Sequence, residues 1–163
     1  MDAGIDICFI DHEDRPAFER LFERLSDQTR YFRFFAPVPR LTKRTLDMLM
    51  DVDGHGHTAV GAWRGDELVG EARYVAFADN TAEVAMTVRD DWQRKGVGAR
   101  MLARVICEAA QRGFCRLTAT SLSQNYAVRH LLAGSGFTVS ASEDGTDEWE
   151  RNACESPLSD SNR

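Results

Sequence analysis

The sequence predicts a single α/β domain: a mixed, mostly antiparallel twisted sheet flanked by about four helices. Residues 58–88 contain three segments of strand-like composition, separated by the short turns 64–66 and 79–80, which is typical of consecutive antiparallel strands. Residues 97–112 follow, with apolar side chains recurring every three or four positions, as in a helix that packs on a sheet. Strands and helices therefore belong to one layered domain.

The N-terminal part predicts one strand and two helices. Residues 5–10 alternate as a strand does, and Pro16 opens a helix with an apolar stripe. The aromatic and basic segment 30–35 ends before two prolines, and we assign neither a helix nor a strand to it. A second helix begins at Thr42. The aromatic cluster 31–35 fits either the core or the wall of a substrate groove.

The C-terminal part predicts a strand at 115–121, a helix at 125–133, and a closing hairpin around Asp144-Gly145. The predicted domain spans residues 1–153. Residues 154–163 are polar and loosely patterned, and we expect them to form a flexible tail.

Charge and hydropathy restrict the partners. The chain of 163 residues carries a formal net charge of −6, which disfavours nucleic-acid binding. It has no apolar run of about 18 residues, so no membrane span or membrane partner is predicted. The N-terminus lacks a basic region followed by an apolar stretch. We therefore expect a cytoplasmic protein, while its oligomeric state is not predicted.

Cysteines and histidines form no metal-binding pattern. The four cysteines are scattered without a CxxC pair, and we expect free, mostly buried thiols. Residues 53–57 hold two histidines without a further ligand set, which favours a polar loop over a metal site. No metal is predicted.

The junction between the third strand of the meander and the long helix has the features of a phosphate-binding turn. Gly96 and Gly98 allow close approach to the backbone, and the first N–H groups of a helix lack intrahelical partners. Arg94, Lys95 and Arg100 add positive charge, so a pyrophosphate is the expected occupant. The spacing fits neither a nucleotide P-loop nor a dinucleotide fingerprint, and a turn that merely ends a loop is the alternative.

With this turn, the sequence resembles the GNAT superfamily of N-acetyltransferases. Residues 93–98, Gln-Arg-Lys-Gly-Val-Gly, match the acetyl-CoA motif of that family. A second family motif is matched by Asn125, Ala127, Leu131 and Gly136-Phe137. The resemblance implies the GNAT fold and acetyl-CoA as acyl donor. The cofactor-binding residues we expect are Val88, Gln93, Arg94, Lys95, Gly96, Val97, Gly98, Ala99, Arg100 and Asn125.

A narrower likeness is to the Pat-type bacterial protein lysine acetyltransferases. It lies at residues 25–35, 51–59 and 82–88. This resemblance implies acetyl transfer to a protein lysine, for example on an acyl-CoA synthetase. A small-molecule amine N-acetyltransferase and a non-catalytic acyl-CoA-binding module are alternatives that the cofactor motifs fit equally well.

Acetylation of an amine requires a proton acceptor, and Glu83 is the candidate general base. It shares one face of the predicted strand with Ala85 and Thr87, upstream of the cofactor turn, and the Pat-type likeness places a catalytic glutamate there. A solvent-facing glutamate at the start of an edge strand is the alternative. Backbone N–H groups near Val88 are the implied donors to the thioester carbonyl. Leu132 occupies the position of the family's usual tyrosine acid, so no acid is predicted there.

Overall fold

The computed structural model describes residues 4–155 and confirms the predicted α/β architecture. The strands are β1 Asp6–Phe9, β2 His57–Arg64, β3 Glu67–Ala78, β4 Thr81–Val88, β5 Arg116–Leu122, β6 Thr138–Glu143 and β7 Thr146–Asn152. The α-helices are α1 Arg15–Glu23, α2 Asp27–Phe34, α3 Lys43–Leu49, α4 Val97–Gln111 and α5 Tyr126–Gly134. Within residues 4–155 the strands form one open sheet in the order β1-β2-β3-β4-β5-β7-β6, in which β4 and β5 are the parallel pair.

Helices cover both faces of the sheet, and each face has its own apolar core. Ala59 and Leu68 pack with α1 and α3 on one face. Their neighbours in sequence, Val60 and Val69, pack with α4 on the other face. This division follows from the alternation of side chains along a strand.

The predicted turns are confirmed where strands follow each other directly. Asp144 and Gly145 both adopt positive φ angles, 51° and 78°, which suits the tight turn that joins β6 to β7. β7 then lies between β5 and β6, so the last strand among residues 4–155 is internal to the sheet. It pairs with β5 along the whole of that strand.

Helix α2 is the main departure from the predicted elements, because the segment left without an element is helical. The Ser26 side chain caps its start by accepting the Thr29 N–H at 3.1 Å. Phe35 ends it in the left-handed conformation, with φ 60°. The structure therefore has five α-helices among residues 4–155, where about four were predicted.

The sheet opens between its two parallel strands. β4 and β5 pair only from Thr81 to Glu83 and from Arg116 to Thr118, and then separate. β4 stays paired with β3 to its end, and β5 stays paired with β7. The result is a wedge-shaped gap between two well-supported strands.

The expectation of free and mostly buried thiols is wrong. Cys115 and Cys154 form a disulfide with their Cα atoms 5.0 Å apart, while Cys8 and Cys107 are free but exposed. After β7 the chain runs back beside the start of β5, where the Ala153 N–H donates to the Cys115 carbonyl at 2.7 Å. The first residue of the predicted tail is therefore tied to the sheet. Residues 156–163 of that tail lie outside the described residues, and the domain limits stay a prediction.

None of the helices in the described part of the chain is long and apolar enough to cross a membrane.

Candidate functional site

The gap between β4 and β5 opens into a cavity of about 750 Å³. Its walls come from α2, β4, the turn before α4, β5 and the start of α5. Most of the predicted site residues line it, namely Glu83, Val88, Gln93, Arg94, Gly96, Gly98, Ala99 and Asn125. Three others, Lys95, Val97 and Arg100, are adjacent in sequence but their side chains do not line the cavity.

The backbone at the end of β4 offers hydrogen-bonding groups to this gap. The Arg89 N–H donates to the Val69 carbonyl at 2.8 Å and so points toward β3. Backbone groups of successive residues in an antiparallel strand point to opposite sides. The N–H groups of Val88 and Met86 therefore face the gap, and the Gln93 side chain donates to the Val88 carbonyl at 2.9 Å. The Val88 N–H therefore faces the gap, and its expected role as a donor to the thioester carbonyl stays a prediction.

The start of α4 presents a second set of N–H groups. Gly96 has φ 79°, and the first intrahelical bond runs from the Arg100 N–H to the Gly96 carbonyl at 3.2 Å. The N–H groups of residues 97–99 precede this ladder and have no helical acceptor. Gly98 has a further role, because a Cβ atom there would lie 3.1 Å from side-chain carbons of Leu131 and Met86. A glycine at this position lets α4 approach both α5 and β4.

The three predicted cations take different places. Arg94 lines the cavity and is the cation of the turn that can contact a bound anion. The Lys95 ammonium lies 4.8 Å from the centroid of the Trp92 ring. Arg100 donates to the Ile5 carbonyl at 3.0 Å, which ties α4 to the N-terminal segment. Their positive charge still contributes to the potential at the start of the helix.

Asn125 caps α5 and lines the cavity. Its side chain accepts the Val128 N–H at 3.4 Å, so the capping role foreseen for this residue is present. Because the residue is buried yet borders the cavity, its amide can also reach a ligand.

Glu83 occupies the last paired position before β4 and β5 separate, opposite Thr118. On its other side it pairs with Val75 of β3. Its side chain is exposed, so the apolar surroundings suggested by the strand pattern are not present. The position combines contact with the cavity and access from solvent.

Leu132 forms part of the cavity wall and is buried, at the position where a tyrosine acid is usual. Tyr126 also borders the cavity but is 73% exposed. The tyrosine hydroxyl therefore belongs to the cavity mouth rather than to its interior.

Asp90 is a site residue that the sequence analysis missed. Its carboxylate accepts hydrogen bonds from the Ser26 N–H at 3.0 Å, the Ser26 hydroxyl at 2.7 Å and the Thr29 hydroxyl at 2.9 Å. Burial raises the pKa of Asp90, but these hydrogen bonds outweigh burial and hold it below the ordinary value. Asp90 thus fastens the start of α2 to the cofactor turn.

A buried charged cluster under α2 was also missed. The Glu71 side chain is fully buried and receives the Nε–H groups of Arg33 and Arg73, each at 2.9 Å. Burial would raise the pKa of Glu71, but the two guanidinium groups outweigh burial and lower it. Arg73 has the larger effect of the two. Glu71 is therefore ionised and shared between two arginines.

His57 completes this cluster. Arg73 donates to the Leu49 carbonyl at 2.6 Å and contacts the His57 Nε2 atom at 2.9 Å. A guanidinium only donates, so Nε2 accepts and the ring proton lies on Nδ1. Burial and the Arg73 charge lower the pKa of His57, which keeps the imidazole neutral. Asp53 accepts the His57 N–H at 2.9 Å as part of a polar loop.

Within residues 4–155, no group of three or more His, Cys, Asp or Glu side chains could hold a metal ion.

Comparison with known proteins decides the family. Residues 17–137 match the family model described as the Acetyltransferase (GNAT) family. This chain belongs to the GNAT acetyltransferase family. It is 34% identical over 130 residues to an acetyltransferase of Pseudomonas aeruginosa, an alignment that covers 77% of this chain and 70% of that protein.

Two further GNAT relatives carry the name Pat. The chain is 33% identical over 111 residues to the acetyltransferase Pat of Mycolicibacterium smegmatis, covering 66% of this chain and 33% of that protein. It therefore spans about a third of the length of this relative. The crystal structure of the GNAT domain of S. lividans PAT superposes with a TM-score of 0.85 at 29% identity, covering 90% of this chain and 89% of that one. This superposition confirms the predicted GNAT fold.

As a GNAT acetyltransferase, the protein takes its acetyl group from acetyl-CoA. The cavity suits this donor because its parts match the parts of the molecule. The free N–H groups and Arg94 at the start of α4 suit a pyrophosphate. The wedge between β4 and β5, with backbone N–H groups along one wall, suits an extended polar chain that ends in a thioester.

Proposed function

We propose that this GNAT acetyltransferase transfers the acetyl group directly from acetyl-CoA to the side-chain amine of a protein lysine, with Glu83 as general base. The observation that carries the proposal is the position of Glu83. It stands where β4 and β5 separate, on the wall of the cavity that contains the cofactor turn, and its side chain is exposed. A carboxylate at this point is accessible both to the donor and to an acceptor that enters from solvent.

The chemistry assigned to these residues is a single transfer. Glu83 accepts a proton from the ammonium group, directly or through water, and the neutral amine attacks the thioester carbonyl. The N–H of Val88 donates to the carbonyl oxygen as negative charge develops there. A C–N bond forms, the C–S bond breaks, and the nitrogen releases its second proton to water, so that the products are an amide and the CoA thiolate. With Leu132 in the wall, the thiolate takes its proton from solvent at the cavity mouth.

Two features support a protein lysine as the acceptor. Relatives named Pat match 66% and 90% of this chain, at 33% and 29% identity. In addition, Phe35, Val75 and Phe77 are exposed, Phe35 on the cavity wall and Val75 directly opposite Glu83. Exposed apolar side chains beside a reactive group suit contact with a polypeptide rather than with a lone small amine.

The test is Glu83→Gln, which is nearly isosteric and removes proton acceptance. We expect kcat/KM for a lysine peptide to fall by about a hundredfold or more, with unchanged acetyl-CoA affinity by calorimetry. The rise in kcat/KM that accompanies deprotonation of the base, on the acidic side of the pH profile, should be absent from the variant. Glu148→Gln is the matched control, because Glu148 is an exposed strand glutamate outside the cavity. Full activity of Glu83→Gln at neutral pH would remove Glu83 from catalysis.

The acceptor is tested separately by following CoA release with lysine peptides, folded proteins and small amines. Turnover with small amines alone would replace the lysine proposal by the small-molecule alternative. Binding of acetyl-CoA without turnover of any acceptor would favour a non-catalytic acyl-CoA-binding module.

A further inference from the structure

Arg33 links the buried charged cluster to the acceptor side of the cavity. Its side chain is 10% exposed and lines the cavity wall formed by α2. Its Nε–H is bound to Glu71 at 2.9 Å, and its guanidinium carbon lies 5.1 Å from the centroid of the Phe34 ring. Two contacts therefore fix the plane of this guanidinium before any ligand binds.

The outer edge of the same guanidinium is unused. Among residues 4–155, no side chain or carbonyl accepts a hydrogen bond from the two Nη groups of Arg33. They are not sealed in the core either, since the residue borders the cavity. A pair of parallel N–H donors on a residue that borders a cavity matches the two oxygens of a carboxylate.

The net charge of the cluster also favours binding of an anion. Arg33 and Arg73 share one carboxylate, that of Glu71, and the fourth member, His57, is neutral because its pKa is lowered. One positive charge is therefore in excess within a buried cluster. Asp51 and Asp53, whose charges reach His57, are both exposed and cannot neutralise it from inside.

Arg73 also has a side-chain group that lacks a hydrogen-bond partner. The Nη2 group of Arg73 is buried and has no hydrogen-bond partner within the described residues. Burying charged donors without full compensation is costly. Arg73 does not line the cavity, so an anion bound at Arg33 is the ligand charge that can offset this cost.

The cluster lies on the face of β4 that carries Glu83. Directly opposed residues of antiparallel strands share a face, and Glu71 and Arg73 pair with Thr87 and Ala85. An acceptor that extends along this face can reach Glu83 with its amine and Arg33 with another group.

From these observations we propose that the acceptor carries a carboxylate close to its reacting amine, and that Arg33 binds this carboxylate. The proposal rests on the function proposed above and specifies its substrate class. The carboxylate can come from an acidic side chain next to the lysine in a protein, or from the α-carboxylate of a small acceptor.

The experiment compares matched acceptors that differ in one charge. One pair is a lysine peptide with glutamate or glutamine beside the lysine, and the other is Nα-acetyl-lysine or its amide. The reacting ε-amine is the same throughout. We expect about a tenfold higher kcat/KM for the acidic member of one pair, expressed mainly in KM. A preference in the peptide pair identifies a protein acceptor, and a preference confined to the small pair identifies a small one.

Arg33→Gln should reduce the preference to less than about twofold, and Arg33→Lys should retain part of it. Arg30→Gln is the matched control, because Arg30 lies on the same helix, pairs with Asp27 and does not line the cavity. It should leave the preference unchanged. A purely structural ion pair would alter the melting temperature of the Arg33 variants but not the ratio between acceptors.

Equal rates for both members of both pairs with the wild-type protein would overturn the proposal without any variant. A preference that survives Arg33→Gln would overturn the assignment to Arg33. Either failure leaves the Glu83 test untouched, because that test compares two enzymes on one acceptor.

Discussion

The two faces of β4 are built on different principles. Toward α4, Met86 and Val88 are apolar, and the neighbouring cofactor turn consists of glycines and free backbone N–H groups. Toward α2, the strand carries Glu83 and lies over the shared carboxylate of Glu71. Under the functions proposed above, the side facing α4 binds the donor by main-chain groups, and the side facing α2 binds the acceptor by charged side chains.

This difference bears on specificity. A pyrophosphate is recognised by any helix start with the right turn, so the donor side can be recognised from a short local motif. The acceptor side depends on contacts between α2 and β3, which are far apart in the chain. Substitutions on the two sides should therefore have different effects. Those on the donor side should change the affinity for acetyl-CoA, and those on the acceptor side should change stability or the use of acceptors.

The largest expected effect is on the charged side. Glu71→Gln leaves two buried arginines without their carboxylate, and we expect the free energy of unfolding to fall by about 3–5 kcal/mol. Denaturant unfolding measures this change. Glu67→Gln, also on β3 and paired with Arg89, is the control. The Glu67 side chain is 42% exposed and Arg89 keeps its two bonds to Asp91, so the loss should be no more than about 1 kcal/mol. Equal losses for both variants would show that burial of the cluster contributes nothing.

On the donor side, Gly96→Asp should weaken acetyl-CoA binding about a hundredfold, roughly 3 kcal/mol. The new carboxylate would face the position expected for the pyrophosphate. Gly65→Asp is a close control, because Gly65 has φ 61° and, like Gly96, has no atom within 4 Å of an added Cβ. Both variants carry similar backbone strain. If calorimetry shows equal affinity for both, the loop does not bind the pyrophosphate.

A smaller effect on stability is expected at Asp90, which connects α2 to the turn before α4. Asp90→Asn removes one of the two carboxylate oxygens that hold Ser26 and Thr29, and we expect a loss of about 1–2 kcal/mol in stability. The acceptor KM should rise, because α2 forms the part of the cavity wall at which we propose that the acceptor binds. Asp91→Asn is the neighbouring control, since Asp91 pairs with Arg89 and not with α2. An unchanged acceptor KM in Asp90→Asn would separate α2 from acceptor binding.

The smallest effect concerns pH. The pKa of His57 is lowered in the folded protein, so the unfolded chain binds more protons once the pH falls below the ordinary value of 6.5. Stability should therefore decrease as the pH falls from about 7.5 to about 5.5. His57→Gln keeps an acceptor for Arg73, and its melting temperature should change by about 1–3 °C less over this range. His12→Gln, which alters an exposed histidine, should follow the wild type.

The fold was largely predictable, because its signals are local. Alternation and turn residues placed the meander β2 to β4 and the hairpin β6 to β7, and helical spacing placed α4. Helix α2 was not predictable from local signals, because its eight residues mix charged and aromatic side chains. Its start depends on Asp90, which is 64 residues from Ser26 in the chain.

The candidate site also has one part that the sequence predicted and one part that it did not. The turn at 93–98 and the cap Asn125 follow from short motifs, and the structure brings both to one cavity. The separation of β4 from β5 is a property of strand pairing, and no residue pattern within β4 indicates where pairing stops. The pairing of Arg33 with Glu71 joins residues 38 positions apart, and a single sequence contains no signal that relates them.

The place of β7 has a consequence for synthesis. The wall of the cavity opposite β4 is β5, which β4 supports only over its first three residues, while β7 supports it throughout. β7 ends at Asn152, so this wall is held in place only after the chain up to that residue has left the ribosome. The cofactor motif is translated earlier, but the wedge between β4 and β5 is completed only by a strand that emerges after it.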